Sequence, residues 1–437
     1  MRTKIYALLT VQNGSFHQTL FDLYRRSIAS DFIRKVMETF AAQVVQVCIG
    51  LLTTVLVARA LGPEGRGLYA VASAISAMGV QFGNLGLHAS NTYYVAKNRE
   101  LLPSLLGNTI AVSFIFGSFV IGLTWLIFFL WPTIQPVHGL LLIMALAWIP
   151  FGLAHMLMQN LLLGIHKVRA FNISEIVTKI LGITLIGLIV MSGNVTVEKI
   201  FLAGFITFFF TLPWMLWCLK PYIVSFPFPS FTVFKENIFY GLKAYLGAFF
   251  AFLVLRVDLL MVKHILGAQQ AGYYSIAVTM TNVLFMLPVA IGTILFPKLS
   301  SLSTELDKWI LAKKVALLVG VMMVVIAGLA TLLAAPLVRL LFGMAFLPVV
   351  IPFICLLPGI VMLSINSIYM NYFASMGMPL ITVYSPAIAA ILNILLNLKI
   401  IPIFGVVGAS IASTVSYGFM LIASIIYIFY ARRNVVS

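Results

Sequence analysis

The sequence predicts an all-α, polytopic membrane protein of about twelve transmembrane helices, built as two homologous halves of six. Three observations lead to this fold class. Hydrophobic residues make up 62% of the 437 residues and charged residues only 9%, whereas charged residues form about a quarter of a soluble domain. Twelve apolar runs follow one another along the chain, and a glycine-containing turn recurs at equivalent places in the two halves.

Each predicted helix is an apolar run of about 20 residues, which is the length that crosses a hydrocarbon core of about 30 Å. The twelve runs cover residues 36–60, 67–96, 105–130, 140–163, 171–191, 200–219, 238–265, 272–296, 315–333, 349–374, 380–400 and 408–430. The domain organisation that follows is an N-terminal extension, an N-terminal half, a linker and a C-terminal half, over residues 1–31, 32–219, 220–236 and 237–437. We expect the extension to be cytoplasmic.

The formal net charge of +16 is explained by membrane topology rather than by nucleic-acid binding. Nineteen of the 27 Lys and Arg residues fall in the termini and loops on one side of the predicted helices, whereas six fall on the other side. Because Lys and Arg are concentrated in cytoplasmic loops, both termini are predicted to be cytoplasmic. No loop is long enough to form a nucleic-acid-binding domain, so no nucleic-acid partner is expected.

A repeated turn relates the two halves. Residues 61–72 read LGPEGRGLYAVA and residues 266–277 read LGAQQAGYYSIA, with five identical positions of twelve. Gly62 and Gly267 suit the left-handed conformation that ends a helix, and a four-residue link would then lead to Gly67 and Gly272 at the start of the returning helix. Halves with an even number of helices enter the membrane in the same direction, so they are related by a pseudo-two-fold axis along the membrane normal.

The cysteines carry no metal or disulfide pattern. Cys48, Cys218 and Cys355 lie in or at the ends of apolar runs without paired spacing, so we expect neither a disulfide nor a metal or other cofactor. A polysaccharide polymerase or ligase would need catalytic residues in a sizeable extracytoplasmic loop, and the predicted loops are short. The chain is therefore not expected to be an enzyme.

The ordered motifs resemble those of the polysaccharide-transport (Wzx-type) flippases of the multidrug/oligosaccharidyl-lipid/polysaccharide exporter superfamily. The resemblance covers about residues 32–430. It is carried by Leu61 to Ala72, by Arg256-Val257-Asp258, by Leu266 to Tyr274, and by Asn393, Asn397, Pro402, Gly405, Gly408, Ala409 and Ala412.

This resemblance implies two six-helix bundles around a central cavity that opens alternately to the cytoplasm and the periplasm. It further implies outward movement of an undecaprenyl-diphosphate-linked oligosaccharide across a bacterial inner membrane, for assembly of O-antigen, capsule or exopolysaccharide. The expected partners are this lipid-linked oligosaccharide, membrane lipid, a proton or sodium ion, and a polysaccharide polymerase with its chain-length complex.

Charged side chains inside the predicted helices are the candidate functional residues, because intramembrane charges are retained mainly where they face protein or a wet cavity. Arg256 offers a planar fork of donors that suits a diphosphate, and a structural ion pair is the alternative. Asp258 is the candidate for coupling to a proton or sodium ion. On one continuous helix it would lie about 200° around the axis from Arg256.

The other candidates each have a plainer interpretation. Lys263, His264 and Arg59 would extend a basic stripe of substrate contacts toward the periplasmic mouth, or anchor the helices at the interface. Lys179 would bind substrate, or pair within its helix with Glu175. Glu38 would couple ions, or form an interfacial salt bridge. His155 and Trp148 are interpreted as a structural histidine and as part of an interfacial belt, and Tyr69 and Tyr274 as packing residues rather than sugar contacts.

Three other functions fit the same sequence features. A peptidoglycan-precursor flippase would also need arginines for a diphosphate, but that branch commonly has fourteen helices. A multidrug antiporter on this fold would favour acidic cavity residues, whereas the candidates here are mostly basic. A scaffold for a polysaccharide synthesis complex would need no transport activity.

Overall fold

A computed structural model describes the backbone of residues 2–436 and the side chains of residues 38, 40–242 and 245–431. The predicted N-terminal extension therefore lies outside the described side chains. The longer helices are α1 (Arg2–Asn84), α2 (Leu87–Lys97), α3 (Leu102–Leu130), α4 (Gly139–Gly164), α5 (Val168–Met191), α6 (Val197–Leu219), α7 (Phe231–Val254), α8 (Val257–Leu266), α9 (Ala268–Ser301), α10 (Glu305–Leu341), α11 (Val350–Ser375) and α12 (Ile381–Val436).

The number of membrane-spanning segments agrees with the prediction. Within the described residues, ten helical stretches are long and apolar enough to cross a membrane. Two of them contain a glycine with non-helical dihedral angles, Gly62 in α1 (φ 67°, ψ −177°) and Gly405 in α12 (φ 60°, ψ −141°). Each of these stretches is therefore two spans, which gives the twelve expected from the apolar runs.

The chain reverses more tightly than predicted. After Gly62 the helix resumes at Pro63, and after Gly267 (φ 91°, ψ 177°) α9 begins at Ala268. The predictions of a four-residue link and of helix starts at Gly67 and Gly272 were therefore wrong. A single residue suffices because glycine adopts these dihedral angles without a Cβ clash, and proline has the φ angle of a first helical residue.

Two predicted helices are interrupted. The predicted helix over residues 67–96 breaks at Leu85 and Gly86, which both have positive φ. The predicted helix over residues 238–265 breaks at Leu255 and Arg256, where Arg256 has φ −135° and ψ −27°. The expectation that Arg256 and Asp258 lie on opposite faces of one helix was therefore wrong, because the helix is not continuous between α7 and α8.

The halves, α1 to α6 and α7 to α12, meet along α1 and α9. At the crossing, a Cβ on Gly67 would collide with the carbonyl oxygen of Ala268, and a Cβ on Gly272 with that of Pro63. In the repeat, Gly67 is equivalent to Gly272 and Pro63 is equivalent to Ala268. The two contacts are therefore equivalent, as expected for helices that cross on a pseudo-two-fold axis. We call this side of the molecule, where the chain reverses at Gly62, the Gly62 end.

An arginine adds a second contact between the halves at the Gly62 end. Arg59 donates from Nε to the carbonyl oxygen of Leu341 over 2.7 Å, and from Nη2 to that of Leu340 over 2.5 Å. These carbonyls terminate α10, and a cation stabilises such a terminus because the last carbonyls carry partial negative charge. Residues of both halves, including Ala58, Val71, Ala271, Phe342 and Ile401, share one buried core here.

The opposite side, which we call the linker end, is held mainly by hydrogen bonds between α2 or α3 and α7. Asn108 of α3 donates to the carbonyl of Ser230 over 3.0 Å and accepts from its N–H over 2.8 Å. Asn237 of α7 donates to Asn91 of α2 over 2.9 Å, and the rings of Tyr93 and Tyr240 stack with centroids 4.2 Å apart.

A close backbone approach accompanies these hydrogen bonds at the linker end. A Cβ on Gly241 would lie 2.5 Å from the carbonyl oxygen of Gly86, and one on Gly86 would lie 2.7 Å from that of Gly241. The hydroxyl of Tyr245 donates to the carbonyls of Gln81 and Phe82 over 3.1 and 3.3 Å. The two halves are thus in contact at both ends.

Candidate functional site

A cavity of about 480 Å³ lies between the two halves. Its N-terminal wall is built by α1, α4, α5 and α6, and its other wall by the break between α7 and α8 together with α9. The tight crossing at the Gly62 end and the contacts at the linker end flank it along α1. Its volume falls in the range of about 300–1,000 Å³ typical of small-molecule sites.

Three cationic residues line this cavity: Arg66, Lys179 and Arg256. Arg66 is 7% exposed, its guanidinium lies 5.5 Å from the ring centroid of Tyr69, and its Nε has no hydrogen-bond partner. A buried guanidinium with an unpaired donor is costly unless a ligand supplies an acceptor. The cavity is therefore suited to an anion.

The helix break explains why Arg256 reaches the cavity. It is the residue before the first turn of α8. Because the helix is interrupted there, helical periodicity does not determine the direction of its side chain. Asp258, two residues later, lines the same cavity. The structure thus brings together three of the sequence candidates, Arg256, Asp258 and Lys179.

Glu175 and Lys179, one turn apart on α5, have different surroundings. The structure records Gln159 of α4 as a donor to Glu175 over 2.5 Å, and Gln159 also donates to Ser174 over 3.2 Å. This polar cluster attracts the carboxylate toward α4, whereas Lys179 lines the cavity. His155 belongs to the same cluster through a 3.4 Å contact with Thr178.

The remaining candidates lie outside the residues that line this cavity. Arg59 contacts the end of α10, as described above. Lys263 is half-buried and His264 exposed, both in the last turns of α8. Glu38 is exposed near the N-terminal limit of the described side chains.

Asp258 is buried in a hydrogen-bond network that joins α8, α9 and α12. Its Oδ2 accepts from the hydroxyls of Tyr274 over 2.5 Å and Ser413 over 2.9 Å, and its Oδ1 accepts from the N–H of Leu259. Asn393 donates to Ser413 over 3.4 Å, and Asn397 donates to Asn393 over 2.9 Å. The amide oxygen of Asn397 is buried without a partner.

Arg66 is the cavity cation that the sequence reasoning missed. It was counted in a loop after Gly62, but the helix resumes at Pro63 and Arg66 lies in the first turn. The repeat carried a signal in the sequence, because Arg66 takes the place of an apolar residue, Ala271, in the other half. The structure buries Arg66 as it buries Ala271.

The described residues contain no group of three or more His, Cys, Asp or Glu side chains placed to hold a metal ion. Trp148, which the sequence placed in an interfacial belt, instead lines the cavity. That interpretation was wrong because a position near the end of an apolar run does not specify which side of the helix faces lipid.

Comparisons with known proteins assign the chain to a family. The family model described as polysaccharide biosynthesis protein matches residues 32–303. The chain belongs to this family. The predicted polysaccharide-transport resemblance is thereby confirmed.

A relative of known sequence extends the comparison. An uncharacterized membrane protein of Methanocaldococcus jannaschii is 28% identical to this family member over 222 residues, which is 46% of this chain and 43% of that protein. The aligned region thus spans less than half of that relative.

The fold is that of known transporters. An inward-facing multidrug resistance MATE transporter of the MOP superfamily aligns with TM-score 0.75 at 13% identity, covering 90% of this chain and 94% of its own. The lipid II flippase MurJ, in an inward closed conformation, aligns with TM-score 0.67 at 14% identity over 89% and 87% of the chains. The predicted all-α, two-bundle fold class is confirmed.

Proposed function

We propose that this protein is a flippase that moves undecaprenyl-diphosphate-linked oligosaccharide from the cytoplasmic to the periplasmic leaflet of a bacterial inner membrane for surface polysaccharide assembly. The observation that carries the proposal is a cavity between two membrane-embedded halves with Arg66, Lys179 and Arg256 in its walls. The polysaccharide biosynthesis family supports a substrate of this class.

A diphosphate matches the chemistry of this cavity. Guanidinium groups bind phosphate oxygens through parallel N–H donors, and a lysine ammonium binds them as a point charge. Arg66 and Lys179 belong to the N-terminal half, whereas Arg256 belongs to the C-terminal half. A bound diphosphate would therefore interact with both halves at once.

Alternating access is the transport mechanism that we infer. The halves are in contact at the Gly62 end and at the linker end, so transport requires each set of contacts to separate in turn. With both termini in the cytoplasm, the linker end faces the cytoplasm and the Gly62 end faces the periplasm. Arg59, Lys263 and His264 would then contact substrate only when the Gly62 end opens.

Asp258 is the residue that we propose for ion coupling. Its network contains four further oxygen-bearing side chains, joined one to the next by hydrogen bonds: Tyr274, Ser413, Asn393 and Asn397. The buried amide oxygen of Asn397 has acceptor capacity that no described group uses. A proton would be taken up by the carboxylate of Asp258, whereas a sodium ion would be coordinated by carboxylate and amide oxygens. Glu38 remains a second proposed coupling residue. The polymerase and chain-length complex are proposed partners.

The test is transbilayer movement of a fluorescent undecaprenyl-diphosphate oligosaccharide in proteoliposomes. We expect movement with the wild type, and a loss of more than about tenfold in Arg66→Ala and Arg256→Ala, because each removes a charge that pairs with phosphate. Lys314→Ala, an exposed lysine of α10, is the matched control and should behave as the wild type. Normal movement in both arginine variants would refute the assigned site.

A multidrug exporter is the second candidate function, because the MATE transporter shares the fold over most of both chains. It is distinguished by efflux of a cationic dye from the same proteoliposomes. The three cavity cations would repel such a dye, so we expect none. Dye efflux without lipid movement would establish the alternative.

A further inference from the structure

The linker between α6 and α7 presents large apolar side chains at its surface. Four of them are 69 to 81% exposed: Val224, Phe226, Phe228 and Phe231. We call residues 224–231 the aromatic segment. Contiguous exposed apolar side chains on a water-facing surface mark an interaction site, so this segment requires an apolar partner.

The aromatic segment is fixed against a membrane-spanning helix. Ser230 exchanges two hydrogen bonds with Asn108 of α3, as described above. A Cβ on Gly107 would lie only 2.6 Å from the carbonyl carbon of Phe228. The main chain of the segment is therefore packed directly on α3.

This contact sets the depth of the segment in the bilayer. The span that contains α3 covers 32 residues, Arg99–Leu130. A helix of that length is about 48 Å long, whereas the hydrocarbon core is about 30 Å thick. About six residues at each end of a centred helix therefore lie outside the core. Gly107 and Asn108 are the ninth and tenth residues of the span, which places the segment at the boundary between headgroups and acyl chains.

The main chain of the segment is suited to a place where water is scarce. Pro227 and Pro229 have no N–H group to satisfy. The N–H of Phe228 donates to the carbonyl of Phe226 over 2.9 Å, and the N–H of Ser230 donates to α3. Each backbone N–H from residue 227 to residue 230 is thus absent or bonded within the protein, as irregular backbone at membrane depth requires.

An apolar groove of about 270 Å³ runs beside the segment, between α3 and Pro229, Phe231 and Phe234. The amide of Asn108 is the one polar side chain among its lining residues, and both its oxygen and its nitrogen are bonded to Ser230. Because a water molecule needs two to four polar partners, the groove suits a hydrocarbon chain. Its wall includes exposed Ile115 of the span, so surrounding lipid can enter it.

Basic side chains flank the aromatic segment. Lys220 and Lys235 are exposed on either side of it, and the ammonium of Lys167 lies 5.4 Å from the ring centroid of Tyr222. Lysines at a membrane interface are attracted to anionic headgroups, while aromatic rings lie at or below the headgroup level. The charge pattern thus matches a phospholipid leaflet.

We propose that the aromatic segment is inserted into the cytoplasmic leaflet, with Phe226, Phe228 and Phe231 among the acyl chains, and that a phospholipid acyl chain occupies the groove beside α3. The inference goes beyond the proposed function and does not depend on the substrate. The leaflet follows from the orientation given above. The segment that connects the two halves is thus attached to the bilayer as well as to α3.

Spin labels measure this insertion directly. Phe226→Cys and Phe228→Cys are labelled singly, in a background without the three native cysteines, in vesicles of phosphatidylethanolamine and phosphatidylglycerol. Oxygen concentrates among acyl chains, whereas a nickel chelate stays in water. Because an inserted segment lies about 5–10 Å into the interface, we expect the ratio of oxygen to nickel relaxation to be about tenfold higher at both sites than at Ser303→Cys. Ser303 lies in the exposed turn between α9 and α10 at the same end.

A second variant tests whether the rings cause the insertion. With the label at Val224→Cys, replacing both rings by Phe226→Ser and Phe228→Ser should raise nickel access to the level at Ser303. Phe404→Ser, which removes an exposed ring of α12, is the matched control and should leave the label among the acyl chains.

The groove is tested with brominated phospholipid acyl chains, which quench a bimane label. We expect quenching at Phe231→Cys and at Phe226→Cys. Ala111→Phe places a ring in the groove, so it should lower quenching at residue 231 and leave quenching at residue 226 unchanged.

Three outcomes overturn the inference. Nickel access at residues 226 and 228 equal to that at Ser303 contradicts insertion. Labels shielded from both oxygen and nickel would show that protein rather than lipid covers the segment. Quenching at residue 231 that is unchanged by Ala111→Phe contradicts an acyl chain in the groove.

Discussion

Gly67 and Gly272 lie in direct backbone contact where α1 crosses α9. They are equivalent positions in the two halves of the repeat. Because a Cβ on either residue would collide with a carbonyl oxygen of the opposite half, this crossing requires glycine on both sides. It joins the halves at the Gly62 end and is the most direct expression of the two-fold repeat in the structure.

Alanine at this crossing should destabilise the closed Gly62 end. We expect Gly67→Ala and Gly272→Ala each to cost about 1–3 kcal/mol, the usual range for overpacking, and to lower the thermal unfolding midpoint in detergent. The control is Gly122→Ala in α3, whose Cβ would meet no atom within 4 Å. Unchanged midpoints for both crossing variants would show that the helices separate freely.

A covalent crosslink at the linker end should block transport. Tyr93 and Tyr240 stack across the two halves, so Tyr93→Cys and Tyr240→Cys together should be bridged by a bifunctional methanethiosulfonate reagent, in a background without the three native cysteines. We expect lipid movement to stop and to return with reductant. Movement that continues through the crosslinked protein would show that this end does not open.

The link between Asn108 and Ser230 should hold the linker against α3. Asn108→Ala removes two hydrogen bonds, each worth about 0.5–1.5 kcal/mol, so we expect a lower unfolding midpoint and faster proteolysis between residues 220 and 230. Ser225→Ala, at an exposed position of the same linker, is the control. Equal cleavage rates in both variants would argue against the anchoring role.

The Asp258 network should determine the response to an ion gradient. Asp258→Asn removes the carboxylate charge, and Tyr274→Phe removes one donor to Oδ2. We expect Asp258→Asn to abolish the stimulation of lipid movement by a proton or sodium gradient and Tyr274→Phe to reduce it, with lipid binding retained. Full stimulation in Asp258→Asn would exclude it from coupling.

Much of the fold could be predicted because membrane helices are specified by length and composition. The twelve spans and the pairing of Gly62 with Gly267 are visible in the sequence. The interruption before Arg256 was not, because no proline or glycine marks it and the apolar run continues through it. Local sequence does not specify a break that neighbouring helices stabilise.

The candidate site was predicted in part for the same reason. Arg256, Asp258 and Lys179 attracted attention as charges inside apolar runs, and the structure places all three at one cavity. Arg66 and Trp148 did not, because one was assigned to a loop and the other to an interface. Both assignments depended on helix boundaries and helix rotation, which apolar composition leaves undefined.

The one-residue reversals at Gly62 and Gly267 also limit what can be attached to the protein. An epitope tag or fluorescent label placed at either glycine would separate two helices that begin without any spacer. The turn at residues 192–196 between α5 and α6 leaves more chain outside the helices. We therefore expect this turn to accept a short insertion, so topology mapping at the Gly62 end should begin there.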